Sequence, residues 1–88
     1  MGVVENPMNV SVLFFAGLKE TVGTARLEIE LRQPQSCEQL VSGLFARFEN
    51  LASLLPHCSF ALNGSIVEKG CWITAGDELA ILPPVSGG

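Results

Sequence analysis

Few side chains in this sequence have the type and spacing that catalysis needs. There is one histidine, His57, no tyrosine, and three cysteines, Cys37, Cys58 and Cys71, none in a C-x-x-C pair. An odd cysteine count without paired spacing argues against a disulfide framework and a zinc ribbon. His57-Cys58 with a distant Cys71 fits no common metal-ligand spacing, and an iron–sulfur cluster needs a fourth ligand. No metal or bound cofactor is expected, and the cysteines read as buried free thiols. Glu28 and Glu30, two apart on one strand face, read as solvated carboxylates rather than an acid–base pair. What remains is the end of the chain, Leu79-Ala80-Ile81-Leu82-Pro83-Pro84-Val85-Ser86-Gly87-Gly88. A terminal carboxylate on Gly88 is a poor electrophile at neutral pH, but ATP converts such a group to a reactive acyl adenylate. Gly88 is therefore the expected reacting residue. Gly87, lacking a Cβ like Gly88, lets the chain pass a channel too narrow for side chains. Pro83 and Pro84 hold φ near −65° and lack backbone donors, so they end strand pairing and launch Val85 and Ser86 away from the body. The bland reading of a terminal Gly-Gly is a frayed end, but here it follows an apolar strand through a stiff Pro-Pro step.

The elements that must position this tail follow from hydrophobic periodicity. After a leader over residues 1–8, Asn9 to Ala16 is apolar on both parities and reads as a central strand. Gly17 to Gly23 has room for one or two helical turns closed by glycine. Arg26 to Arg32 alternates, with Leu27, Ile29 and Leu31 on one face, and pairs back on the first strand. Ser36 starts the long helix, with Gln39 completing a capping box and Glu38 in the first turn. Cys37, Leu40, Val41, Leu44, Phe45 and Phe48 form its apolar stripe, which reads as core rather than a cofactor box. Gly43 inside that stripe suggests close packing. Leu51 to Pro56 is a connector, Ser59 to Asn63 a strand, and Asn63-Gly64 a hairpin turn returning through Ile66 and Val67. Gly76-Asp77 turns the chain into the final strand, Glu78 to Leu82. Two strands, a helix, then two or three strands specify an α+β β-grasp, the ubiquitin-like fold: a mixed sheet of four to five strands with one main helix on one face. The domain spans residues 9–84, and 85–88 form a flexible diglycine tail.

Composition sets the outer limits. Eighty-eight residues make one small domain, 48% hydrophobic and only 16% charged, against roughly 25% charged in an average soluble domain. Apolar surface should remain outside the core and suggests a protein partner. The net charge is −4, and Lys19, Arg26, Arg32, Arg47 and Lys69 are scattered, so nucleic-acid binding is not expected. Pro56, His57, Asn63 and Gly64 interrupt the uncharged run over residues 50–67, which excludes a membrane span there. Met1 to Asn9 lacks a signal-peptide pattern, so the expected compartment is the cytosol.

The ends of the sequence carry a specific resemblance. Val12-Leu13-Phe14-Phe15-Ala16 with Leu18-Lys19-Glu20 and Gly23, and Gly76-Asp77-Glu78-Leu79-Ala80 with Pro83-Pro84-Val85-Ser86-Gly87-Gly88, resemble the small subunit of molybdopterin synthase, a ubiquitin-like sulfur carrier family. The resemblance implies that an E1-like adenylating enzyme uses ATP to activate Gly88. A sulfurtransferase or desulfurase donor then makes its thiocarboxylate, and the tail donates sulfur to cyclic pyranopterin monophosphate to form the molybdopterin dithiolene. The implied chain is non-catalytic on its own, and its partner is the large subunit, in a heterotetramer of two small and two large subunits. Sulfur carriers for thiamine or tRNA thiolation also end in Gly-Gly, and a ubiquitin-like adaptor whose end is never activated is a further alternative. Strand parity places the expected docking surface: with Val10, Val12 and Phe14 facing the helix, Phe15 and Leu82 fall on the opposite face at the root of the tail, extended by Ile66.

Overall fold

The structure, a computed structural model, describes residues 8–84. The elements run β1 (Met8–Phe14), α1 (Ala16–Val22), β2 (Arg26–Leu31), α2 (Cys37–Phe45), α3 (Glu49–Ala52), a 3-10 turn (Leu55–His57), β3 (Ser59–Leu62), β4 (Ser65–Val67) and β5 (Glu78–Leu82). The strands form one mixed five-stranded sheet in the order β2-β1-β5-β3-β4. This is the expected β-grasp. β1 takes in Met8, which the sequence reading left in the leader, because its backbone pairs with Leu31. The rest of the leader and the tail residues Val85, Ser86, Gly87 and Gly88 lie outside the described residues.

Local chemistry accounts for the element boundaries. Gly23 ends α1 in the left-handed region at φ 94°, and its N–H returns to the Lys19 carbonyl, a conformation glycine adopts without a Cβ penalty. At the start of α2 the capping box is complete. The Gln39 N–H donates to Ser36 Oγ at 3.2 Å, and the Ser36 N–H donates to Gln39 Oε1 at 3.0 Å. The Cys37 and Glu38 N–H groups donate to the Cys71 and Lys69 carbonyls, so the first turn of α2 leaves no orphan donor to hold an anion. The β3–β4 hairpin turns on Asn63 at φ 52° and Gly64 at φ 87°, the pair of positive values that a type I′ turn requires.

α2 ends at Phe45, three residues before the expected stripe does, and the Leu51 to Pro56 connector takes in the end of α3 and the start of the 3-10 turn. Phe48 still packs on the core from the step between α2 and α3. Gly43 corrects the expectation of close packing: a Cβ built there meets nothing within 4 Å.

One face of the sheet and α2 enclose the core. Val10, Val12 and Phe14 of β1, Phe60 of β3, Leu79 and Ile81 of β5, and Val41 and Phe45 of α2 are almost fully buried. Cys37 and Cys58 belong to this core, while Cys71 is half-buried at its margin. Burial, and next to it the Cys71 neighbour, pushes the Cys37 thiol up to about 11. It is a protonated, inert packing group at neutral pH.

A polar knot fixes where β5 starts. Asp77 Oδ2 accepts from the Thr74 N–H at 2.7 Å and its hydroxyl at 3.0 Å, and Oδ1 accepts from Asn63 Nδ2 at 2.9 Å. The Glu78 N–H donates to Asn63 Oδ1, the Asp77 carbonyl accepts from the Ser11 N–H, and the Gly76 N–H donates to the Asn9 carbonyl. The β3–β4 turn, the start of β5 and β1 are thereby tied together. Burial raises the Asp77 carboxyl, but the hydrogen bonds from Thr74 and Asn63 outweigh it and hold the carboxyl below its ordinary value.

Two outcomes follow for stability. Phe60→Ala empties the middle of the core and should cost about 3–5 kcal/mol in urea unfolding. A carboxyl whose folded pKa is depressed contributes stability that is full above its unfolded pKa and disappears as pH falls through the folded value. Unfolding curves between neutral and acid pH should therefore show a loss for the native chain that Asp77→Asn reduces, with the variant already weaker at neutral pH.

Candidate functional site

β5 lies between β1, to which it is parallel, and β3, to which it is antiparallel. Its last residue, Leu82, leads directly into Pro83 and Pro84, so the chain leaves from the middle of the sheet and not from an edge. The prolines cannot donate to a ladder, so pairing stops there. Pro83 is half-buried and Pro84 exposed, and both border an apolar groove lined by Gly17, Leu18 and Thr21 of α1 together with Leu51 and Leu54. The exit of the tail thus has a built wall on the helical side.

On the other side lies the uncovered face of the sheet. Register places Arg26, Leu13, Ala80, Ala61 and Ile66 in one row across all five strands. The next row of this face toward the tail has Phe15 just beyond the Phe14–Ile81 pair, then Leu82, then Ser59. Phe15 is 45% and Ile66 69% exposed, so both large apolar side chains present substantial surface to water. Leu82 is half-buried, and Ala61 is buried although it stands outside the core cluster. Phe15 and Leu82 therefore sit at neighbouring positions at the tail root. Ile66 is on the same face but separated from Leu13 by Ala80 and Ala61. These two alanines were missed as site residues; each stands one position beyond an inward residue, Phe60 and Leu79, and strand alternation therefore puts it on the opposite face.

Charge on this face runs from Arg26, at the β2 edge of the Leu13 row, to Glu28 and Glu78 in the row before it. Arg26 Nε donates to Glu28 Oε2 at 2.7 Å, its Nη2 to Ser11 Oγ at 2.8 Å, and Nη1 lies 3.5 Å from Glu78. Hydrogen bonds from Arg26 first, and then Ser11, hold the Glu28 carboxyl below its usual range. Glu28 is thus an ionised partner of an arginine. Lys19 and Arg26 also border a shallow hollow with Leu13 and Phe15, so the apolar zone has a basic margin. Trp72, 60% exposed, was not anticipated; it is bridged to Ser36 at the start of α2, and its exposure depends on a long-range pairing that periodicity does not reveal.

Among the described residues, no group of three or more His, Cys, Asp or Glu is placed to hold a metal ion. No described helix is long and apolar enough to cross a membrane. The arrangement offers a stiff apolar exit and an apolar surface beside it.

Known proteins share this architecture and sequence. A molybdopterin synthase sulfur carrier subunit from Chlamydomonas reinhardtii is 37% identical over 84 residues, covering 92% of this chain and 100% of that protein. The solution structure of the Haloferax volcanii HVO 2177 protein superposes with a TM-score of 0.83 at 24% identity, covering 97% of this chain and 91% of that one, a likeness of fold. A chain from the complex of subunits 1 and 2 of the molybdopterin-converting factor of Helicobacter pylori superposes with a TM-score of 0.65 at 28% identity, covering 92% of this chain and 100% of that one. The profile of the ThiS family matches residues 12–88, from the middle of β1 through the terminal diglycine, and the chain belongs to that family.

Proposed function

We propose that this chain is the sulfur carrier subunit of a molybdopterin synthase, and that Gly88 carries the sulfur. The observation that supports this most is the end-to-end likeness to a curated carrier of that name, joined to a central strand that feeds Pro83-Pro84-Val85-Ser86-Gly87-Gly88 straight out of the sheet. An E1-like partner adenylates the Gly88 carboxylate with ATP, releasing pyrophosphate. The outer sulfur of a sulfurtransferase persulfide then displaces AMP to form an acyl disulfide, and a second thiol of the donor cleaves that S–S bond, becoming a disulfide and leaving the thiocarboxylate. Sulfur is a softer and better nucleophile than oxygen, which suits the terminus for building a dithiolene on cyclic pyranopterin monophosphate.

In this proposal the large subunit supplies the catalytic side chains, and two small subunits flank a dimer of large ones. The named complex of two subunits in Helicobacter pylori supports such a partner. Phe15, Leu82 and Ile66 dock on the large subunit, while Pro83 and Pro84 restrict how far the terminus can swing. Only an active site at the right reach from that surface can then use Gly88. The need for ATP and the unpaired thiols support action in the cytosol.

The decisive experiment offers the thiocarboxylated protein to the molybdopterin large subunit with the pyranopterin precursor. Dithiolene should form without further ATP, and thiamine-thiazole or tRNA-thiolation enzymes should use the same reagent poorly. The reverse preference would transfer the assignment to one of those routes. Deleting Gly88 should leave the unfolding curve unchanged and abolish the sulfur-for-oxygen mass increase at the terminus; joint loss of folding and sulfur loading would show the tail to be structural. Phe15→Asp or Leu82→Asp should weaken the complex with the large subunit at least about tenfold, roughly 1.4 kcal/mol, with the melting temperature of the free small subunit little changed. An unaltered dissociation constant would remove these residues from the interface.

A further inference from the structure

The outer edge of β2 is open, and its hydrogen-bonding pattern shows which groups are free. Ser11 donates its N–H to Asp77, and Asn9 accepts from Gly76, both on the β5 side of β1. The backbone groups of Ser11 and Asn9 are therefore not hydrogen-bonded to those of Glu28 and Glu30, which stand opposite them in the antiparallel register. In such a ladder the residues of non-bonded pairs turn their backbone groups away from the partner strand. The N–H and C=O of Glu28 and Glu30 therefore point outward. At Arg26 the edge is already closed, because the Thr24 hydroxyl accepts from the Arg26 N–H at 3.3 Å and donates to its carbonyl at 3.0 Å. Among the described residues nothing covers Glu28 or Glu30 in this way.

Beside this open edge runs a groove of about 520 Å³ between β2 and α2, bordered by Leu27, Ile29, Leu40, Gly43, Leu44 and Arg47. Leu27 and Ile29 are only half-buried. The empty space above Gly43 lies on this side of the helix. Arg26 and Arg32 pair with Glu28 and Glu30, whereas Arg47 makes no ion pair among the described residues. The groove thus combines main-chain donors and acceptors at a two-residue period, an apolar floor, and one uncommitted cation at the Leu27 end. Those are the elements of strand addition.

We propose that the β2 edge binds an extended segment of a partner protein, with main-chain hydrogen bonds to Glu28 and Glu30, alternate apolar side chains over Gly43, and a carboxylate against Arg47. A second copy of this chain fits poorly, since two β2 edges would bring Glu28 and Glu30 of both copies together on chains of net charge −4, and like charges opposite one another destabilise pairing. The sheet order separates this edge from β5 by β1, so the bound segment leaves the tail root free and holds a partner while Gly88 is in use.

The test uses the full chain, nitrogen-15 labelled, with a capped peptide of about seven residues, a common strand length, alternating valine and threonine and ending in aspartates. The Glu28 and Glu30 amides should shift and exchange more slowly on binding. A peptide ending in lysines should bind at least about tenfold more weakly, and Arg47→Glu should reverse that preference. Gly43→Leu, which fills the groove and removes a helix-interior glycine, should retain the fold and lose the peptide. No binding, shifts confined to β4 and β5, equal affinity for both peptides, or undiminished binding by Gly43→Leu would each overturn the proposal.

Discussion

The parallel ladder between β1 and β5 is the constraint on which the rest of this molecule depends. Two strands adjacent in space but at opposite ends of the chain must run the same way, so everything between them serves as one long connection that crosses a sheet face. α2 is the part of that connection that can bury an apolar stripe, and it fills the face with Val41, Phe45 and their neighbours. β5 must then end beside Phe14, and Pro83 and Pro84 follow it out of the sheet. These two prolines have α1 and Leu54 on one side and the uncovered sheet face on the other.

Small size makes the two faces unequal. A chain of 88 residues buries only about 60–65% of its unfolded surface, and here one helix layer covers one face. The opposite face divides into a charged zone around Arg26 and Glu28 and an apolar zone around Leu13, Phe15, Leu82 and Ile66. The ion pairs in the charged zone are exposed and contribute little to stability, but they keep that end hydrated. The apolar zone adjoins the point where Pro83 and Pro84 leave the sheet, so exposed apolar surface and the exit of the chain lie together. The polar knot of Asn63, Thr74 and Asp77 lies at the start of β5, at the far end of the strand from the tail. It secures the strand without occupying its exit.

Much of the fold was readable because its signals are local. The alternation of Leu27, Ile29 and Leu31, the Ser36–Gln39 capping box, the Asn63-Gly64 turn and the Gly23 helix end each depend on a few neighbouring residues, and each is present. The short helix after Phe48 was missed because four residues carry too little periodicity to stand out from a connector. Gly43 was misread for a related reason: a glycine on an apolar helix stripe signals either close approach or open space, and only the position of β2 distinguishes them.

The sequence alone determined the inward sets of β1, β2 and β5, the start of the main helix with its capping box, and the stiff apolar lead into the diglycine. All of these follow from covalent geometry and short-range periodicity. Tertiary structure decided which surfaces remain available. Phe15 and Leu82 become neighbours only through the β1–β5 register, Ala61 and Ala80 join that face only when β3 and β5 pair, and Trp72 is exposed beside Ser36 through a long-range bridge. The open edge at Glu28 and Glu30 exists because β2 has a partner on one side only. Exposure is a property of what lies opposite a residue, and pairing between distant strands is set by the packing of the whole chain.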